Sequence, residues 1–143
     1  MCIRDSLCYQ VLEQVGEGTY GKVFRGVERA TGQIVALKKI RIHRESEGLP
    51  VTAVREVKIL RNFAHPNLVL LKEVVTSMCS LDLLKSSPSY YYVFEYCTHD
   101  LTGLSDSKYK FTVPETKILM KQLLAVLAFL HEKGIMHLSL IHI

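Results

Sequence analysis

Glycines at positions 16, 18 and 21, within GEGTYGKV at residues 16–23, constrain this chain more than any other feature. Glycine reaches backbone angles that side chains forbid, and at this spacing it lets main-chain amides approach an anion such as phosphate. The same G-x-G-x-x-G pattern opens the helix of a dinucleotide-binding turn, so the residues that follow decide between folds. Here KVFRGVER, residues 22–29, is rich in β-branched and aromatic side chains and places Val23, Arg25 and Val27 on one face of a strand. A dinucleotide turn needs a helix at that point, which sets that reading aside. YQVLEQV, residues 9–15, has the same strand character, so the glycines join two paired strands. An ordinary glycine-rich hairpin is the plain alternative.

A turn at residues 30–32 leads to a third strand at 33–40, giving an antiparallel meander, and a polar stretch follows at 41–48. Helical period then takes over: Pro50 fits a first helical turn, and Val54, Val57, Leu60 and Phe63 recur at intervals of three until His65, Pro66 and Asn67 end the helix. Residues 68–75 and 90–96 read as two further strands. The segment 76–89 between them has no clear period and reads as an exposed insert. Pro114 opens the longest helix, whose apolar positions are Ile118, Leu119, Leu123, Val126, Leu127 and Leu130, and Gly134 stands where a helix-ending glycine belongs. Strands, helix, strands, helix make an α+β protein.

The chain of 143 residues carries 18 basic against 14 acidic side chains, and these are interspersed. That describes a solvated surface more than a nucleic-acid footprint. Four cysteines, at 2, 8, 79 and 97, form no C-x-x-C pair, which points to a reduced, intracellular protein. The start MCIRDSLCYQ lacks the apolar core of a secretory signal, and no apolar run is long enough for a bilayer. His131, His137 and His142, six and five residues apart, do not share a helical face and make no zinc site. No metal ligands are assigned.

VALK, residues 35–38, sets Lys38 among apolar neighbours on the third strand, and Glu56 lies eighteen residues on, within the first helix. An ammonium that faces phosphate needs a partner to fix it, and a carboxylate on a packed helix supplies one. Taken singly, each is a plain surface charge. Taken with the glycine stretch, over residues 9–137, they resemble the protein kinase family, itself a standard template of phosphoryl transfer.

The resemblance implies an N-terminal lobe of five antiparallel strands and one regulatory helix, then a hinge and the first helices of an incomplete C-terminal lobe. It implies ATP as cofactor, with Gly16, Glu17, Gly18, Thr19, Tyr20 and Gly21 as the loop over its phosphates. Lys38 contacts the α and β phosphates and is held by Glu56. VFEYC, residues 93–97, becomes the hinge, where adenine bonds the main chain of Glu95 and Cys97. Phe94 then stands at the back, Val15, Val23 and Ala36 cover the ring, and Asp100 meets the ribose. PVTAVRE, residues 50–56, resembles the PSTAIRE helix of cyclin-dependent kinases, which implies a cyclin partner docked there. Thr19 and Tyr20 match positions whose phosphorylation inhibits relatives, since a phosphate there repels those of ATP. EGLPVTAVREVKIL, FEYCTHDLTGL and the insert are similar to the transcription-elongation branch. That implies Ser/Thr substrates including the RNA polymerase II tail, a nuclear or cytoplasmic location with the nucleus favoured, and neither direct nucleic-acid nor membrane binding.

The family continues through H-R-D to an aspartate base and to magnesium ligands. His137 matches that histidine, but Leu138 and Ser139 stand where Arg and Asp belong, so the Mg2+ ligands and the catalytic aspartate are missing and the chain as written is expected to be inactive. MCIRDS can be encoded by ATGTGTATAAGAGACAG plus one pyrimidine and LSLIHI by CTGTCTCTTATACACATC, which are reverse complements apart from the last base of each. These strings resemble a transposon end used in sequencing libraries. The expectation is therefore adaptor at 1–6 and 138–143, an N-terminal lobe at 7–96 and a hinge with the start of a second lobe at 97–137; the codons of the genomic locus decide it. The alternative function is a naturally truncated, non-catalytic module that holds cyclin.

Overall fold

The computed structural model describes residues 3–5, 8–18, 21–40, 50–77 and 89–136. Thr19, Tyr20, the polar stretch 41–48, most of the expected insert, and His137, Leu138, Ser139 and His142 lie outside the described residues. The elements run β1 (Ile3–Asp5), β2 (Tyr9–Gly18), β3 (Gly21–Glu28), β4 (Ile34–Lys39), α1 (Val51–Asn62), β5 (Leu71–Ser77), β6 (Ser89–Glu95), α2 (Leu101–Asp106) and α3 (Val113–Glu132). The chain divides into two compact units, residues 1–63 with 70–97, and residues 64–69 with 98–143.

The first unit is a sheet in the order β1-β5-β6-β4-β3-β2. Strands β2 to β6 are the five antiparallel strands expected from the sequence. The sixth, β1, is an addition that the sequence pattern did not signal: it runs parallel to β5, Ile3 opposite Val74, and covers an edge whose backbone groups would otherwise lack partners. β5 starts at Leu71, later than its apolar run suggests. The Glu95 N–H donates to the Leu70 carbonyl at 3.3 Å, but the Leu70 N–H turns to the Glu95 carboxylate at 3.1 Å, so regular pairing begins only beyond it, after an irregularity between Leu71 and Glu73.

Residues opposite one another in an antiparallel ladder share a face, and neighbours along a strand alternate. One face therefore carries Phe24, Val35, Leu37, Tyr91 and Val93, which pack with Tyr9 and Val75. The other carries Leu71, Val74 and Tyr92, which pack with Ile40 and with Ala53 and Val57 of α1. α1 is seated on that face by Ala53, Val57 and Leu60, spaced by four and three residues, where strict intervals of three had suggested Val54, Val57, Leu60 and Phe63. A pure three-residue step drifts around a helix of 3.6 residues per turn. Val54 is instead half-buried and lines a cavity of about 400 Å³ with Val57, Lys58, Arg61 and Asn62.

In the second unit Thr112 and Glu115 open α3 with a reciprocal capping box, and Pro114 sits in its first turn. Gly134 closes it with φ +73°: its N–H donates to His131 and that of Ile135 to Leu130, both at 2.9 Å, a termination that requires the left-handed region. Residues 64–69 pack on the same helix, the His65 ring 5.1 Å from that of Phe129 and the Asn67 side-chain amide donating to the Gln122 carbonyl at 3.2 Å. Those contacts fall at the middle of the helix and near its C-terminal end. Val126 is buried, while Ile118 and Leu123, expected on the covered stripe, remain 58% and 37% exposed. α2 is a short helix in a region whose sequence reads only as polar.

Gly26 is buried where β3 passes β2 and β4. A Cβ there would stand 2.7 Å from Leu37 Cδ1 and 3.0 Å from the Gln10 carbonyl oxygen, and Leu37 is itself packed in the core. Gly26→Ala is expected to cost about 1–3 kcal/mol by overpacking; an unchanged denaturant midpoint would contradict this. At the start of α3 the Tyr109 hydroxyl donates to Glu115 Oε1 at 2.6 Å and the Thr112 N–H to Oε2 at 2.7 Å. These bonds hold the Glu115 carboxyl below its usual range, Tyr109 contributing most. A depressed carboxyl stabilises the fold above its unfolded pKa, and that contribution is lost as pH falls through the folded value. Acidification should thus loosen residues 112–116, followed by their NMR shifts, and Glu115→Gln should remove that pH dependence.

Candidate functional site

β4 is an interior strand, with Lys38 opposite Val23 of β3 on one side and Tyr92 of β6 on the other. By the register, Val23, Arg25, Ala36, Lys38, Tyr92 and Phe94 share the face on which α1 lies. Glu56 on α1 reaches down to that face, and Lys38 Nζ donates to its Oε1 at 3.2 Å. The two side chains are 24% and 43% exposed. An ion pair with that much solvent contributes at most about 1 kcal/mol to folding. Its effect is positional: the ammonium is held over the sheet.

Tyr92 supports the pair from below. Its side chain is almost wholly buried, its hydroxyl donates to the Ala53 carbonyl at 3.1 Å, its ring lies 5.8 Å from Lys38 Nζ, and the Phe94 ring meets it edge-on. Burial first, and the nearby Glu56 carboxylate second, raise the hydroxyl well above the usual phenol range, so it stays a donor.

The glycine segment closes β2 onto β3, with Gly18 opposite Gly21 and Gly16 opposite Val23. Gly21 has φ +120°, which a side chain would strain. Gly16 needs glycine for neither reason: its φ is ordinary for any residue, and among the described residues a Cβ there would meet nothing within 4 Å. Space on that flank suits a group from outside the chain. Glu17 pairs with Lys22 across the ladder at 3.8 Å. Val15 is 46% exposed, and Val23, Ala36 and Phe94 are half-buried, leaving apolar surface beside the ammonium.

At the end of β6, Glu95 is tied to Leu70 through both its N–H and its carboxylate. Cys97 is exposed, and among the described residues none bonds its main-chain N–H or carbonyl, which leaves one donor and one acceptor side by side. The Arg25 guanidinium lies 5.7 Å from the centre of the Tyr96 ring and bonds Glu13 at 3.0 Å, bracing the β2–β3 hairpin against the strand end. Asp100 belongs to the second unit, where its Oδ1 accepts the Gly103 N–H at 2.6 Å and starts α2. Thr19 and Tyr20 are outside the described residues. Sequence reasoning missed Tyr92 and Arg25, because their roles follow from the register across three strands. Among the described residues no three His, Cys, Asp or Glu side chains gather to hold a metal ion, and no helix is long and apolar enough to cross a membrane.

An apolar shelf, an open glycine flank and a carboxylate-anchored lysine fit a phosphate-bearing nucleotide. The description "protein kinase domain" matches residues 9–140. The chain belongs to the protein kinase family. Within it the chain is similar to cyclin-dependent kinases: 49% identical to cyclin-dependent kinase C-1 of Arabidopsis thaliana, over 91% of this chain and 27% of that protein. It is 47% identical to cyclin-dependent kinase 12 of Caenorhabditis elegans, over 90% of this chain and 18% of that one. With cyclin-dependent kinase 9 of Bos taurus the identity is 44%, over 90% and 35%. The chain thus spans about a quarter of the length of the plant relatives it matches.

Proposed function

We propose that the chain is the ATP-binding part of a serine/threonine protein kinase of cyclin-dependent type, whose whole form transfers the γ-phosphate of ATP to protein hydroxyls. The observation that carries this reading is the 3.2 Å pair of Lys38 with Glu56 on the same sheet as the open flank of Gly16. When bound, ATP supplies the transferable phosphoryl group, with Mg2+ to neutralise it. Lys38 orients the α and β phosphates, Glu56 keeps the ammonium from collapsing elsewhere, and the amides of residues 16–21 close over the charge. Val15, Val23 and Ala36 cover the adenine, whose edge bonds the Glu95 carbonyl and the Cys97 main chain. The ribose contact of Asp100 is part of the same proposal.

Residues 50–56 form the docking segment for a cyclin, and the cavity beside Val54 and Val57 with its Lys58 and Arg61 rim supports a partner on that side of α1. A polymerase tail as substrate and a nuclear site of action follow from similarity to the transcription-associated relatives, one of them named CTD kinase subunit alpha in Schizosaccharomyces pombe. Residues 1–6 and 138–143 are proposed to be adaptor-derived, with 7–96 and 97–137 as the parts of the two lobes.

Titration calorimetry tests the nucleotide site. Lys38→Met should weaken MgATP binding about ten- to hundredfold, the loss of a hydrogen bond to a charged group, and leave adenosine binding unchanged. Glu56→Gln should weaken MgATP less. Equal MgATP affinity in wild type and Lys38→Met would sink the reading.

A further inference from the structure

Arg25 lies on the face of β3 that also carries Val23, one cross-strand row away from Lys38, with Ala36 and then Phe94 beside it in register. β2 is irregular at the same level. Between the pairs Val11–Gly26 and Gln14–Phe24 it carries two residues, Leu12 and Glu13, against Arg25 alone, and Val15 is a second extra residue before Gly16 meets Val23. A bulge bends its strand and re-aims a side chain, and bulges cluster beside active sites. Glu13, inside the first bulge, accepts from Arg25 Nη1 at 3.0 Å. The same guanidinium lies 5.7 Å from the centre of the half-buried Tyr96 ring just beyond β6. Its Nε is buried and, among the described residues, has no hydrogen-bond partner. A guanidinium that forgoes a donor to stay in place is held by the ring and the carboxylate, not by solvent.

We propose that Arg25 is a positioning residue for the base half of the nucleotide: it ties β2, the strand that leads into the glycine segment, to the end of β6, and so sets the gap in which adenine lies. The proposal rests on the kinase reading and deepens it. Val15, which covers the base in that reading, follows Glu13 by two residues on the bulged strand, and the main chain that bonds the base flanks Tyr96 on both sides, at Glu95 and Cys97. One guanidinium therefore grips both walls of the base pocket. Its charge is taken up by Glu13 and the Tyr96 ring, so it acts on the width of that gap and not as a second phosphate ligand. Lys38, one row away, serves the phosphates.

Titration calorimetry on the 143-residue chain, with adenosine and MgATP as separate probes, tests this. Arg25→Met should weaken both about fivefold, the combined factor of an exposed ion pair and a partly exposed cation–π contact, whereas Lys38→Met weakens MgATP alone. Arg25→Lys, which keeps a cation over the Tyr96 ring, should restore affinity to within about twofold of wild type. Weaker MgATP with adenosine unchanged would make Arg25 a phosphate-side charge, and Arg25→Lys no better than Arg25→Met would make it a packing group. Either result overturns the proposal, as does unchanged affinity for both probes. Should Arg25→Met fail to fold, Glu13→Gln decides, since Glu13 is exposed on an edge strand. It should weaken adenosine and MgATP equally, about twofold, and an unequal or absent response overturns the brace. The kinase reading fails separately, through a wild type that binds neither probe. Hydrogen exchange then reads the brace itself: amides 14–17 should exchange faster in Arg25→Met than in wild type while β4 keeps its protection, and equal exchange overturns it.

Discussion

An ammonium that is to meet phosphates must be held in place by a partner. The Lys38–Glu56 pair at 3.2 Å does this, and the rest of the first unit is arranged around it. Lysine is flexible and gives up rotamer entropy when fixed. A partly exposed pair repays little of that in folding energy, so its placement makes sense as an arrangement for binding. Interior strands on both sides fix the root of Lys38, and the helix fixes the root of Glu56.

The sheet divides its labour between faces. One packs Val35, Leu37, Val75 and Val93 into a dry core that stiffens the strands, and the other spends its surface on α1, Lys38 and the apolar shelf. Gly26 marks the cost of this close packing, because the strands approach too nearly there for even a methyl group. Gly16 marks the opposite condition, an open flank where the chain has no need of glycine for itself. Rigid backing and open front are the usual requirements for holding a charged ligand in a defined pose.

Much of this was legible in the residues. β-Branched runs on both sides of the glycines showed that they join two paired strands, and Pro114 and Gly134 mark the ends of α3 as their chemistry demands, whereas the Thr112–Glu115 capping box came from the structure. Lys38 and Glu56 were found through a family resemblance, and the register then brought them together. The sequence could not show which apolar residues seat α1, because a three-residue and a four-residue step differ only once a sheet is present to receive one of them. Nor could it show Tyr92, a residue that reads as ordinary strand filling until its partner strand and the first turn of α1 are placed around it. The parallel strand β1 and the packing of residues 64–69 against α3 were equally hidden, since both depend on contacts between segments far apart in the chain.

Chemical labelling reaches the central claim most directly. An ATP derivative carrying an acyl group on its terminal phosphate transfers that acyl group to a lysine amine lying beside the bound phosphates, forming an amide and releasing ATP. Peptide mass mapping of the labelled chain should find the modification on Lys38, suppressed by excess MgATP. Labels spread over exposed lysines such as Lys22 and Lys58, insensitive to MgATP and absent from Lys38, would contradict the account.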